Sequence, residues 1–438
     1  MDNMNDILIR TGSKEESQYC QKYGIEIIKL ENGITIIGMS CGMDFTNWAR
    51  IYWEFYEGSY GNQAGTVHFL EHFFNKKIRS QAEHNSLKIS AHTSNIEIRE
   101  TVSGIANPNM EDYGIWVVLY GIRQTLESPL KNIANIEKDL ETERQVIKSE
   151  IQGRITNHNY HVDTNFLKTF YDPSNPFFDT PTVPGSEEEV DKIKLPDLKK
   201  VENKILIPKN LLISVYVEGD RTILKKLIMT LKQQYMEFPR GDKERHEPTL
   251  KLQSKLNPKL ILGDVYKFDT KIKNGIVSNM FNWIFEYKFG SKKYFALRLL
   301  NNLLATQLLA HSRKKGWGYF TEVGIARPTD DIAILNMRID IKNDKTIDFE
   351  SGIKEIVETI KTNTKNAIEM ERRRQLATPI TVQDRFDWAG HGIKVYGEII
   401  DADKIREGML SVTSSDLDKI LDEILATKPV TIVTGDLD

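Results

Sequence analysis

Apolar positions recur along this chain with two different periods, and the changes of period mark out its elements. A period near 3.6 predicts helices at 65–79, 110–127, 135–153 and 295–314. Runs of β-branched and aromatic residues predict strands at 31–38, 47–57 and 211–217, and again at 262–268, 331–340 and 430–434. Around 65–79 the segment is strongly apolar, with Val67, Phe69, Leu70, Phe73 and Phe74 surrounding a few polar residues. Between Glu141 and Glu150 there is no Gly or Pro, and Val146, Ile147 and Ile151 supply the apolar stripe. Leu303–Ala310 is amphipathic and runs into His311–Tyr319. Strands and helices gathered into runs predict an α+β fold, an antiparallel-rich sheet covered by helices on one side.

The pattern also repeats. Lys194–Val201 leads to the strand Leu212–Val217 and then Gly219-Asp220; Thr413–Ile420 leads to Val430–Val433 and then Gly435-Asp436. Each copy reads as a capped helix start, an amphipathic helix, a β-branched strand and Gly-Asp, with Ser415 and Asp418 expected to cap the second helix reciprocally. The offset is close to half the chain, which argues for duplication of one α+β unit. The seam is the polar stretch Phe238–Pro248, which holds two prolines and a glycine. The expected division is a first domain over 1–237, a linker over 238–258 and a homologous second domain over 259–438.

Composition narrows the classes. The 438 residues are 40% hydrophobic and 28% charged, as in ordinary globular domains, and suffice for two of them. A net charge of −3 leaves no electrostatic footprint for nucleic acid. Lys76–Arg79 and Arg313–Lys315 are short basic clusters of the kind that end solvated helices. Cys20 and Cys41 make no disulfide framework, and the acidic Met1–Asp6 has no apolar core of a secretory signal. No window approaches the about 18 apolar residues of a membrane span. The expected location is cytoplasmic.

The chemistry sits in Gly65–His72, which reads H-x-x-E-H from His68 to His72. On a helix the two histidines lie at i and i+4 on one face, with Glu71 beside the second. Two neutral imidazoles can hold zinc, and a neighbouring carboxylate can take a proton from a water on the ion. This is the inverse of the H-E-x-x-H zinc-protease pattern. Catalytic zinc takes a third protein ligand, and the best supplier is Glu141–Glu150. Glu143 and Glu150, seven residues apart, share one helical face; one can reach the metal while the other orients a ligand. His158 and His161 have no carboxylate or Cys at matching spacing and read as surface histidines. His92 is left without a role.

H-F-L-E-H followed by E-R-x-V-I-x-x-E resembles the pitrilysin/insulinase family of zinc metallopeptidases, the inverzincins. Leu30–Thr35, Gly58-Ser59, Gly65, Ala91–Ser94, and Pro208–Leu211 leading to Gly219-Asp220 extend the likeness over nearly the whole chain, with Ser90 where an Asn is common. The resemblance implies two homologous domains facing across a peptide chamber. It implies Zn2+ on His68, His72 and Glu150, with Glu71 as general base and Glu143 supporting the site. An extended peptide substrate would pair with the strand near Ser90–Ser94. The family's second half usually reads L-R-x-x-x-G-L-x-Y, whose Arg and Tyr grip the substrate backbone and oxyanion. Aligning Gly316 and Tyr319 puts Ser312 at the arginine position, with Arg313 one residue along. That departure favours a dimer in which a homologous, Arg/Tyr-bearing subunit completes the site, over a homodimer relying on Arg313 and Tyr319. The expectation is a zinc endopeptidase acting on short unfolded peptides, in general turnover or in maturing a precursor peptide as the zinc-bearing subunit of a heteromer; the alternative is a non-catalytic scaffold or partner subunit of the same fold.

Overall fold

In β4 (Trp48–Phe55), Ala49, Ile51, Trp53 and Phe55 are buried while Arg50, Tyr52 and Glu54 are not, the period-two signature of a strand with one apolar face. The computed structural model containing it describes residues 7–42, 47–56, 62–83, 85–94, 97–109, 113–131, 133, 135–172, 183–238, 256–270, 272, 275–318, 320–327, 331–342 and 348–437. The first half comprises β1 (Leu8–Ile9), α1 (Lys14–Tyr23), β2 (Ile25–Lys29), β3 (Thr35–Ser40), β4, α2 (Thr66–Glu83), β5 (Lys88–Thr93) and β6 (Ile98–Ile105). Helices α3 (Ile115–Glu127), α4 (Ile136–Ile155), α5 (His158–Phe170), α6 (Glu187–Lys192) and α7 (Leu195–Ile205) precede β7 (Leu211–Glu218) and α8 (Arg221–Met236). The second half follows as β8 (Val265–Asp269), β9 (Ile276–Glu286), α9 (Lys292–Lys315), β10 (Phe320–Ala326) and β11 (Ile332–Lys342). Then come α10 (Phe349–Thr362), α11 (Thr364–Ala377), α12 (Val382–Tyr396), β12 (Ile399–Ile400), α13 (Ala402–Leu410), α14 (Ser414–Ala426) and β13 (Val430–Gly435).

The two main sheets have the same plan. The first runs β2-β3-β7-β4-β6-β5, and the second, read in the same sense, runs β8-β13-β9-β11-β10. Each has one parallel pair, β3 with β7 and β13 with β8, and antiparallel pairs elsewhere. Each places a long helix, α2 or α9, between its second central strand and its edge strand. The expected α+β architecture with two related halves is therefore what the chain forms, with sheets that are mixed rather than purely antiparallel.

Helix cover is not confined to one face, nor to one half. One large core joins α2, α3, α7 and α8 to the first sheet, and a second joins α9, α10 and α14 to the second sheet. Two further cores cross between halves. Val162, Phe166 and Phe170 of α5 pack on Met280, Ile334 and Ile432 of the second sheet. Phe386, Ala389 and Ile393 of α12 pack on Ile37, Met39 and Leu212 of the first. Each half thus lends a helix to the other, and β1 pairs with β12 across the same seam.

Local details depart from expectation for simple reasons. The strand expected over 31–38 is a hairpin turn followed by β3: Leu30 N–H donates to Ile34, and Gly33 sits at φ 95°. Gly114, at φ 68°, delays α3 to Ile115. In α14 the reciprocal cap is Thr413 with Asp416; Asp418 instead accepts from the Thr364 hydroxyl at 2.6 Å. Most of the expected linker, 239–255, lies outside the described residues. No described helix is long and apolar enough to cross a membrane.

Candidate metal centre

Gly65, at φ 80°, turns the chain into α2, and a Cβ there would meet the Pro184 carbonyl at 2.5 Å. Phe69 N–H then closes the first turn onto the Gly65 carbonyl. Val67, Phe69, Leu70, Phe73, Phe74 and Ile78 are at most 2% exposed, so α2 is buried around most of its circumference. Burying side chains of this size stabilises by about 1.5–3 kcal/mol each, enough to hold polar residues on the remaining face. That face carries His68 and Glu71, both buried, and His72, partly buried.

Helix α4 lies against it. Its buried Leu140, Ile147 and Ile151 turn Glu143 and Glu150 toward α2, and Arg144 anchors it by donating to the carbonyls of Val190 and Ile193. His72 Nδ1 is 3.0 Å from Glu143 Oε2, and Lys76 Nζ is 3.3 Å from the other oxygen of that carboxylate. His68 Nδ1 faces Glu71 Oε2 at 3.2 Å. Neutral imidazoles that donate through Nδ1 keep a lone pair on Nε2, and both Nε2 atoms point to one place.

Three donors converge there. His68 Nε2 lies 3.2 Å from His72 Nε2 and 3.0 Å from Glu150 Oε2, and His72 Nε2 lies 3.6 Å from Glu150 Oε1. Bonds of roughly 2.0–2.2 Å in a tetrahedron separate donors by about 3.3 Å. The set has the chemistry and the spacing to hold a metal ion. Among the described residues it is the group of His, Cys, Asp and Glu that can hold a metal.

The charges fit the same reading. The hydrogen bond with His72 chiefly holds the Glu143 carboxyl below its usual range, and the one with His68 does the same for Glu150. Burial pushes Glu71 upward, but its bonds with His68 and Thr93 outweigh that and keep it ionised. Burial likewise opposes the His68 imidazolium, yet Glu150 and Glu71 raise its pKa. Burial, then Arg99, lowers His92.

The site opens into a cavity of about 840 Å³ lined also by Asn75, Arg79, His92 and Arg154, all from the first half. Sequence reasoning assembled the two histidines and three glutamates but missed two contributors. Thr93, at the end of β5, donates its hydroxyl to Glu71; Lys76 ties Glu143 and Asp139. No spacing signals Thr93, since the contact depends on how the sheet edge meets α2. β5 is the edge strand of its sheet, exposing Lys88, Ser90 and His92 on one face. His158 is not a free surface residue: its Nε2 is 2.7 Å from Ser278 Oγ in the other half, while His161 bonds the Ile155 carbonyl. Arg313 lies exposed in the last turn of α9 and is not among the residues lining the cavity. Ser312 is fully buried, its hydroxyl donating to Gly318, and Tyr319 lies outside the described residues.

No protein-family model and no curated protein matches the chain in sequence. Solved structures do match it in fold. A peptidase M16 inactive domain from Pseudomonas fluorescens superposes with TM-score 0.73 at 13% identity, covering 94% of this chain and 97% of that one. A protease from Helicobacter pylori gives 0.73 at 16%, covering 94% and 99%. The periplasmic protease PqqL from Escherichia coli gives 0.71 at 12%; the match covers 94% of this chain and 48% of that larger one. Over almost its whole length, the chain therefore has the fold of M16 peptidase domains.

Proposed function

We propose that this chain is a zinc-dependent endopeptidase for short, unfolded peptides, with zinc on His68, His72 and Glu150. The observation that carries this reading is the convergence of those three donors at tetrahedral spacing beside an ionised Glu71. Zinc bound there supplies Lewis acidity, polarising a carbonyl and lowering the pKa of a water. Glu71 is the general base, accepting the water's proton and returning it to the leaving amine. Thr93 and His68 Nδ1 fix its carboxylate in place. Glu143, braced by Lys76, keeps His72 in the tautomer that turns Nε2 to the metal. An extended peptide adds to the open edge of β5 by main-chain hydrogen bonds, which read shape more than sequence.

A second reading is favoured by one observation: all described residues around the metal cavity come from the first half, with Arg313 exposed elsewhere. Under it, a homologous subunit bearing an Arg/Tyr pair completes the oxyanion site, and the isolated chain binds zinc without turnover. Both readings are tested by incubating the zinc-loaded chain with unstructured peptides, with and without a chelator. Cleavage abolished by chelation supports a self-sufficient peptidase. Stoichiometric zinc without cleavage supports the partner-dependent form, and no bound zinc contradicts both.

A further inference from the structure

The duplicated plan gives the metal site a counterpart in the second half. Counted from their first residues, α2 and α9 place His68 level with Tyr294, Glu71 with Leu297, His72 with Arg298, and Asn75 with Asn301. Counted likewise, α4 and α11 place Glu143 level with Glu371, and Glu150 with Thr378, just past the helix end. The contacts agree with the count. Lys76 pairs with Glu143, and its counterpart Asn302 donates to Glu371 at 2.9 Å. Asn75 and Asn301 each leave a buried side-chain oxygen without a partner among the described residues.

This counterpart is a cavity of about 480 Å³, and its chemistry is inverted. In place of carboxylates and imidazoles it presents Arg298, Arg327, Arg374 and Arg406, against the single acid Asp384. Asp384 is occupied in capping α12 with Thr381. Arg374 has Glu371 at 3.5 Å. Among the described residues, no carboxylate is within ion-pair reach of Arg298, Arg327 or Arg406, and Arg406 donates to the carbonyls of Gln375 and Leu376. Arg298 is held in place: its guanidinium lies over the rings of Tyr294 and Trp388, at 5.7 and 5.5 Å, and donates to the Tyr294 hydroxyl at 2.9 Å. Among the described residues, that leaves most of its planar fork of donors free for an anion. The cavity's apolar lining is supplied by Leu297, Ile325, Ile380, Ile405 and Met409, beside Asn301, Asn302 and Gln375. A guanidinium fixed against aromatic rings, beside further arginines and a partly apolar lining, suits one carboxylate carried on an apolar body.

We propose that this cavity binds an apolar amino-acid carboxylate, either a free acid or the C-terminal residue of a peptide. The site is separate from the metal centre and does not rest on the peptidase reading. The test is calorimetric titration of the full chain, zinc-free and zinc-loaded, with N-acetyl-L-phenylalanine, its amide and inorganic phosphate. The acid should bind saturably and equally in both metal states, with the amide at least ten-fold weaker and phosphate failing to compete. Arg298→Gln should weaken the acid at least ten-fold, and Arg327→Gln, at an exposed rim position, should weaken it less while the fold stays intact by circular dichroism. A heptapeptide ending in phenylalanine that binds tighter than the acylated amino acid assigns the natural source to a peptide terminus; equal or weaker binding assigns it to a free acid. Equal binding of acid and amide, or wild-type affinity in both folded variants, overturns the proposal.

Discussion

At the level of single residues, a few side chains carry spacing that translates directly into geometry. The i, i+4 histidines and the glutamates seven apart were legible because a helix fixes where such residues point. Thr93 and Lys76 were not, because their roles depend on which elements meet in space. Lost support for His72 should be measurable: Glu143→Ala should weaken zinc binding ten- to a hundred-fold while leaving the fold intact, read by competition with a chromophoric chelator. The ionisation pattern sets a sign for pH. In the metal-free chain the His68 pKa is raised above 6.5, so its proton stabilises below that pH, and the contribution is lost as pH rises through the raised value. Zinc must displace that proton. Its affinity should therefore fall by roughly ten-fold per pH unit, per proton displaced, as pH drops through that range. Glu143 and Glu150, held low, stabilise above about pH 4.3 and lose this as pH falls through their depressed values. An affinity unchanged between pH 8 and 6 would count against His68 as a ligand.

At the element scale, the helices with one apolar stripe and the β-branched runs of β7 and β11 were legible, while β9 was not. The hydrophobic pattern leaves β9 unassigned because Val277, Ser278, Met280, Phe281, Asn282 and Trp283 are all buried, which erases the period-two alternation. Only folding shows that a helix covers each side of that strand. The entry to α2 makes a sharper prediction. Gly65 combines a positive φ with a carbonyl 2.5 Å from where a Cβ would sit. Gly65→Ala should cost about 1–3 kcal/mol in denaturant unfolding and weaken zinc binding as well, since the same turn aims His68. A variant with unchanged midpoint and zinc affinity would show that the turn does not position the site.

For the whole molecule, the duplication was legible in the two helix–strand–Gly-Asp segments, but the exchange of helices was not. Nothing in a periodicity says which sheet Phe166 or Phe386 faces, and each packs on the sheet of the other half. Their placement couples the halves, so Phe386→Ala should destabilise by about 3–5 kcal/mol. Hydrogen exchange should rise in β3 and β7 of the first half as well as near α12 itself; a rise confined to the second half would contradict the coupling. The same duplicated plan leaves a metal centre in one half and an arginine-lined cavity in the other. Zinc content and peptide cleavage, measured in the wild-type chain beside Glu71→Gln, separate a zinc peptidase from any other reading of the site. Both proteins should carry one zinc per chain, with any cleavage by the wild type abolished in the variant. Absence of zinc from the wild type, or cleavage retained by Glu71→Gln, would contradict the zinc-peptidase reading.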